Sequence, residues 1–135
     1  MIKAFDHVVL ATRDLDKCIA FYTQVLGMQL ERFGEGRIAL RFGDQKFNVH
    51  PPGFVADIRA RHPTPGSLDF CFLADCPLDD VIARLKQHKI PIEEGPSIRT
   101  GARFKLRSVY VRDPDENLVE ISEPADRAGT ADERR

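Results

Sequence analysis

Apolar residues recur at helical spacing in two stretches of the chain and alternate at strand spacing through most of the remainder. Leu15, Cys18, Ile19, Tyr22, Val25 and Leu26 fall at i, i+3, i+4, i+7, i+10 and i+11, one face of an amphipathic helix. Asp14 is placed to cap it and Gly27 to end it. Leu78, Val81, Ile82 and Leu85 make a second stripe. Pro77 suits its first position, Asp79 and Asp80 the positive end of its dipole, and Lys86 and Lys89 the negative end. Before each helix lies an apolar run, residues 5–10 and 67–73. After each comes a short strand pattern, 29–33 and roughly 90–93. Two further strands follow across a polar turn: 37–40 and 46–50 around Gly43-Asp44, and 107–110 and 117–121 around Asp113-Pro114-Asp115-Glu116.

Each half therefore reads strand, helix, three strands, an α+β pattern of two βαβββ modules. Module one covers about 1–53 and module two about 66–124. A proline-rich linker joins them at about 54–65, unsuited to a regular helix or central strand. Residues 125–135 have no hydrophobic periodicity and are expected to fray. Laying one half on the other pairs His7 with Asp69 and His50 with Glu120, so four metal-capable side chains fall at two equivalent places. Two imidazoles and two carboxylates suit a borderline divalent cation, nickel, cobalt, zinc, manganese or iron, better than calcium, which prefers oxygen alone. Taken singly, His7 reads more readily as a hydrogen-bonded core histidine and Glu120 as an edge carboxylate facing water. Only the repeat sets them apart. His62 and His88 have no repeat partner and read as solvated surface residues.

At 135 residues the chain is sized for one domain of two modules, a single unit over 1–124. With 20 basic and 21 acidic residues the net charge is −1, so no overall field recruits nucleic acid or an anionic membrane, and small molecules are the expected partners. Cys18, Cys71 and Cys76 have no zinc-finger spacing and read as reduced thiols. No apolar run has membrane-spanning length, and Met1-Ile2-Lys3-Ala4 leads into the first strand with no signal-peptide pattern; the expected location is the cytoplasm.

Three motifs, Asp6-His7-Val8-Val9-Leu10, Phe21-Tyr22-x-x-Val25-Leu26-Gly27-Met28 and Asp113-Pro114-Asp115-x-Asn117-Leu118-Val119-Glu120-Ile121, resemble the vicinal oxygen chelate superfamily, which includes glyoxalase I, extradiol dioxygenases and bleomycin-binding proteins. Residues 42–50, 62–69 and 91–96 look like its subgroup of glyoxalase-domain-containing protein 5 and related bacterial virulence-type proteins. The resemblance implies the glyoxalase/bleomycin resistance fold, with the two modules forming a cupped mixed sheet around a divalent metal held by His7, His50, Asp69 and Glu120. In glyoxalase I the third ligand position is His rather than Asp69. A short Asp69 held back from the metal would leave His7, His50 and Glu120 as a two-His, one-carboxylate face.

The implied function is that of a glyoxalase I-like, metal-dependent lyase or isomerase. Its substrate would be a small α-oxo or vicinally oxygenated compound, with thiol adducts among the candidates, and Glu120 would be the catalytic base. The alternatives are ferrous extradiol-type ring cleavage and a non-catalytic antibiotic-binding protein. A homodimer is the expected assembly. Arg37, Arg41, Arg103, Lys105 and Arg107 are candidate anchors for an anionic substrate end, set against their reading as a solvated face.

Overall fold

The computed structural model describes residues 1–125; the fraying expected of 125–135 is corrected at Ala125, which is buried with its amide donating to the Lys105 carbonyl at 2.9 Å, and otherwise lies outside the described residues. The order of elements is β1 (His7–Ala11), α1 (Leu15–Ala20), β2 (Gln29–Phe33), β3 (Arg37–Phe42), β4 (Gln45–His50), β5 (Asp69–Leu73), α2 (Leu78–Gln87), β6 (Glu94–Thr100), β7 (Lys105–Arg112) and β8 (Leu118–Pro124). This is βαβββ twice. The strands form two four-stranded mixed sheets, β1-β4-β3-β2 and β5-β8-β7-β6, each with one parallel pair, β1 with β4 and β5 with β8.

Two compact units divide the chain: residues 1–68 together with Asp113–Asn117, and Asp69–Arg112 together with the chain from Leu118 onward. The short turn 113–117 thus belongs to the first unit, although sequence order puts it in module two. Buried polar bonds account for this. Asp115, 2% exposed, accepts from the Thr12 hydroxyl at 2.5 Å and the Arg13 amide at 2.9 Å. Asp113 accepts from the Tyr22 hydroxyl at 2.6 Å, and the Asn117 side-chain oxygen accepts from the Leu68 amide at 2.9 Å. Such groups are tolerated inside because each is bonded.

In the first unit the apolar side chains of β1, β3 and β4 (Leu10, Ile38, Leu40, Phe47, Val49) are buried with Cys18, Phe21, Tyr22 and Val25 of the helical segment. Tyr22 meets Phe47 edge-on at 5.6 Å between ring centres, the favourable geometry for two aromatic quadrupoles. Asp14 caps α1 by accepting from the Lys17 amide at 3.1 Å. Residues Phe21–Val25 then widen into a π-helical turn, and Gly27 at φ +79° lets the chain leave it.

In the second unit Val109, Val111, Val119 and Ile121 form the covered face with Leu78 and Leu85 of α2. Pro77 stands at the capping position, one residue before the expected first helical turn position, and the Leu78 amide donates to Glu123 at 2.8 Å. The strand expected at 90–93 lies instead at Glu94–Thr100. Its residues are exposed except for Ser97, so this edge strand carries almost no alternating apolar signal.

The open faces and the candidate metal ligands

The sheet registers place each predicted ligand. On the face of the first sheet turned away from α1, three rows cross the strands. They are Gln29-Arg41-Lys46-His7, Glu31-Ala39-Asn48-Val9 and Phe33-Arg37-His50-Ala11. On the matching face of the second sheet the rows are Arg112-Leu118-Asp69, Glu94-Tyr110-Glu120-Cys71 and Ser108-Ser122-Leu73. With His7 laid on Asp69, the counterpart of Glu120 is Asn48, and the counterpart of His50 is Ser122. Two equivalent backbone bonds fix the same alignment, the Thr12 amide to the His50 carbonyl and the Ala74 amide to the Ser122 carbonyl.

The expected pairing of His50 with Glu120 is therefore corrected by two residues. The signal was present in the sequence. Aligning the buried pairs Phe47/Val49 and Val119/Ile121, which alternate with the polar positions, puts Asn48 on Glu120.

Each unit consequently offers two donors at matched places, His7 with Asn48 and Asp69 with Glu120. In both, the two residues sit on adjacent strands two register steps apart, about 8 Å between Cα atoms at ordinary strand spacing. That suits side chains converging on one ion. His7 and His50 are four steps apart, about 14 Å by the same spacing, beyond comfortable reach of a shared metal. Among the described residues no three of His, Cys, Asp and Glu gather as a metal-holding group.

The chemistry of the individual donors fits a cation. The His7 Nδ1 lies 2.8 Å from the Asp6 carboxylate, a contact that engages Nδ1 and leaves Nε2 as the ring nitrogen that would meet a cation. The same contact holds the Asp6 pKa below its ordinary value, mainly through the hydrogen bond and then the charge of His7. Asn48 is only 6% exposed, and its side-chain oxygen has no hydrogen-bond partner among the described residues. An orphaned buried acceptor is costly unless a donor or a cation meets it.

Glu120 sits in a ring of hydroxyl and thiol groups. The Ser122 hydroxyl donates to it at 3.4 Å, and Tyr110 and Cys71 are its register neighbours on the two adjacent strands. Ser122 also lies 2.6 Å from the Ser108 hydroxyl and 3.3 Å from the Cys71 sulfur. Burial pushes up the pKa of Cys71 and of Tyr110, and the Glu120 charge adds to both, so these groups stay protonated donors around the carboxylate. The sequence reading missed Tyr110, Cys71 and Ser122. A period-two reading of β5, β7 and β8 places all three on the Glu120 face.

The basic candidates separate by partner. Arg41 is clamped on Glu31 at 2.8 and 3.2 Å. Arg107 bridges Glu123 and Asp79, Lys105 donates to Thr100, and Arg103 lies over Phe104 at 5.0 Å. Among the described residues Arg37 makes no ion pair. Its guanidinium lies 4.7 Å from the Phe33 ring centre and 6.0 Å from that of Phe54. The His50 ring packs on Phe54 at 4.4 Å, and burial, then the charges of Arg37 and Arg59, lower its pKa. No helix among the described residues is long and apolar enough to cross a membrane.

Comparison with known proteins agrees with this architecture. Residues 4–121 match the Glyoxalase/Bleomycin resistance protein/Dioxygenase superfamily. Virulence protein STM3117 of Salmonella typhimurium is 45% identical over 123 residues, covering 91% of this chain and 85% of that one. Its crystal structure superposes with a TM-score of 0.90, covering 93% of this chain and 99% of that one, at 44% identity. Glyoxalase domain-containing protein RDO1 of Mycosarcoma maydis is 46% identical over 121 residues, 90% of this chain and 68% of that one. A lactoylglutathione lyase from Agrobacterium tumefaciens is 29% identical at a TM-score of 0.70, with 91% and 95% covered. The duplicated βαβββ pattern, the two mixed sheets and these matches together assign the chain to the glyoxalase/bleomycin resistance protein/dioxygenase superfamily.

Proposed function

We propose that the protein is a metal-dependent lyase or isomerase of the glyoxalase type, acting on a small α-oxo or vicinally oxygenated compound and working as a homodimer. The observation that carries this reading is the matched pair of donors in each unit, His7 with Asn48 and Asp69 with Glu120, at register-equivalent positions. The likeness to a lactoylglutathione lyase supports the reaction class. The ligands are His7, Asp69 and Glu120, with the Asn48 amide oxygen in the fourth place, where the sequence alone suggested His50. One imidazole, two carboxylates and one amide suit nickel, cobalt, zinc, manganese or ferrous iron. Such an ion supplies Lewis-acid stabilisation of negative charge on adjacent oxygens of the substrate.

The chain's own groups do the rest. Asp6 engages His7 Nδ1 and leaves Nε2 for the cation. Glu120 would take the proton from the hydroxyl-bearing carbon beside the carbonyl and return it to the carbonyl carbon, while the hydroxyl proton passes to the former carbonyl oxygen, so that substrate and product are isomers. The Ser122 hydroxyl donates to the carboxylate, and Tyr110 flanks it on the neighbouring strand.

Glu120→Gln keeps an oxygen donor and nearly the same shape but removes the base. With the hemithioacetal of methylglyoxal and glutathione tried first, then a panel of α-oxo compounds, it is expected to lower kcat at least about a hundredfold while keeping most of the metal. His7→Ala is expected to lose metal and turnover together. Wild-type turnover in a fully metallated Glu120→Gln protein would move proton transfer to another carboxylate, Asp69 first.

A further inference from the structure

Three groups at one end of the first unit's open face are left without acidic partners. Arg37 and Arg59 take part in no ion pair among the described residues, and His50 stands with them: both guanidinium charges act on its ring. The cluster is braced. Arg37 rests on the Phe33 ring, the His50 ring rests on Phe54, and the Arg59 guanidinium donates to the Phe54 carbonyl at 3.4 Å. Cation–π and stacking contacts hold the three polar heads near one another without neutralising them. By contrast Arg41, on the same face, is spent on Glu31.

One row inward on the same strand face lies the orphaned Asn48 side-chain oxygen, about 6–7 Å from His50 along the strand. A cationic cluster beside an unpaired buried acceptor is complementary to a molecule that carries an oxyanion and, a few bonds away, a hydrogen-bond donor or a metal-bound end.

We propose that Arg37, His50 and Arg59 form a subsite for the carboxylate of an anionic substrate whose body lies over Asn48. The two guanidiniums supply charge-assisted hydrogen bonds, and the His50 ring adds an N–H donor. This extends the proposed function by naming the substrate class, a small α-oxo compound with a carboxylate end. It rests on that reading only in assigning the subsite to the same reaction, because the binding itself needs neither metal nor turnover.

The test uses the full-length protein as purified, with succinate as the carboxylate probe, succinamide as its neutral counterpart and inorganic phosphate as the competing oxyanion. The imidazole proton signals of the four histidines are followed by NMR during each titration. Succinate is expected to shift the His50 signal saturably, with His62 and His88 unmoved and succinamide without effect. The Arg37→Gln/Arg59→Gln protein, with its metal content unchanged, is expected to bind succinate at least about tenfold more weakly. An equal response to succinamide, no saturable His50 shift, or full affinity in the double variant would overturn the subsite. Saturable binding of phosphate without succinate would overturn the carboxylate assignment. Loss of the metal reading alone would leave the succinate result intact.

Discussion

Asp113 offers the sharpest test of how the first unit holds the turn that belongs to it. Its carboxylate is 4% exposed and accepts four hydrogen bonds: from the Tyr22 hydroxyl at 2.6 Å, from the Asn117 side-chain amide at 2.8 Å, and from the backbone amides of Asp115 and Asn117 at 2.9 Å each. Asp113→Ala strands the Tyr22 hydroxyl, whose residue is fully buried, and leaves the turn amides to find water. A stranded buried donor costs about 1–3 kcal/mol and each of the other three lost bonds about 0.5–1.5 kcal/mol, so the sum is about 2.5–7.5 kcal/mol. For a chain of this length that lowers Tm by roughly 8–25 °C. Tyr22→Phe removes one bond and leaves Asp113 with three, and is expected to cost about 1.5 kcal/mol. Thermal and urea unfolding of both variants and of the double variant read the coupling directly. On the Asp113→Ala background, Tyr22→Phe should cost almost nothing or restore stability, since no hydroxyl is then stranded. Equal and additive losses from the two single changes would refute the network.

Two further perturbations probe the same unit. Gly66 sits at φ +85°, and an added Cβ would lie 2.5 Å from the Asp115 carbonyl oxygen. Gly66→Ala is therefore expected to cost about 2–4 kcal/mol in urea unfolding, and a loss within 0.5 kcal/mol would mean the turn shifts freely. Burial pushes the Cys18 thiol up to about 12, above its ordinary value of 9.0. A raised pKa means stability present below about pH 9 and lost as pH rises toward 12. Cys18→Ala should flatten that alkaline decline, and a thiol reagent at neutral pH should modify Cys71 and Cys76 but reach Cys18 only on unfolding.

The fold was readable wherever one face of an element is buried. The stripe from Leu15 and the stripe from Leu78 each mark a real helix, and β2 falls on its expected residues, 29–33. Legibility fails where burial does not impose a period. β6 is an exposed edge strand, so its residues gave no alternation, and the apolar pair Ile90 and Ile92 drew the expected strand four residues early. The first-unit helix widens at Phe21–Val25, a change in hydrogen bonding that leaves the apolar stripe intact and so leaves no trace in the sequence.

As proposed ligands, His7 and Glu120 were legible because both ends of the repeat carry donors. Asn48 was not, because an amide among apolar neighbours looks like an ordinary strand residue until its burial and its missing partner are seen. His50 was paired with Glu120 for the complementary reason. It is the conspicuous donor near the end of β4, but strand ends differ in length between the units while the buried pairs do not.

The central claim is that a divalent metal is held by His7, Asp69 and Glu120, with Asn48 rather than His50 beside them. Elemental analysis of protein prepared without chelator or metal-affinity tag tests it most directly, comparing the wild type with His7→Ala, Glu120→Ala, Asn48→Ala and His50→Ala. The account predicts a stoichiometric metal in the wild type, near-complete loss in the first two variants, weakened retention in Asn48→Ala and full retention in His50→Ala. A metal lost in His50→Ala but kept in Glu120→Ala, or a wild-type protein that takes up none of the five candidate metals, would contradict it.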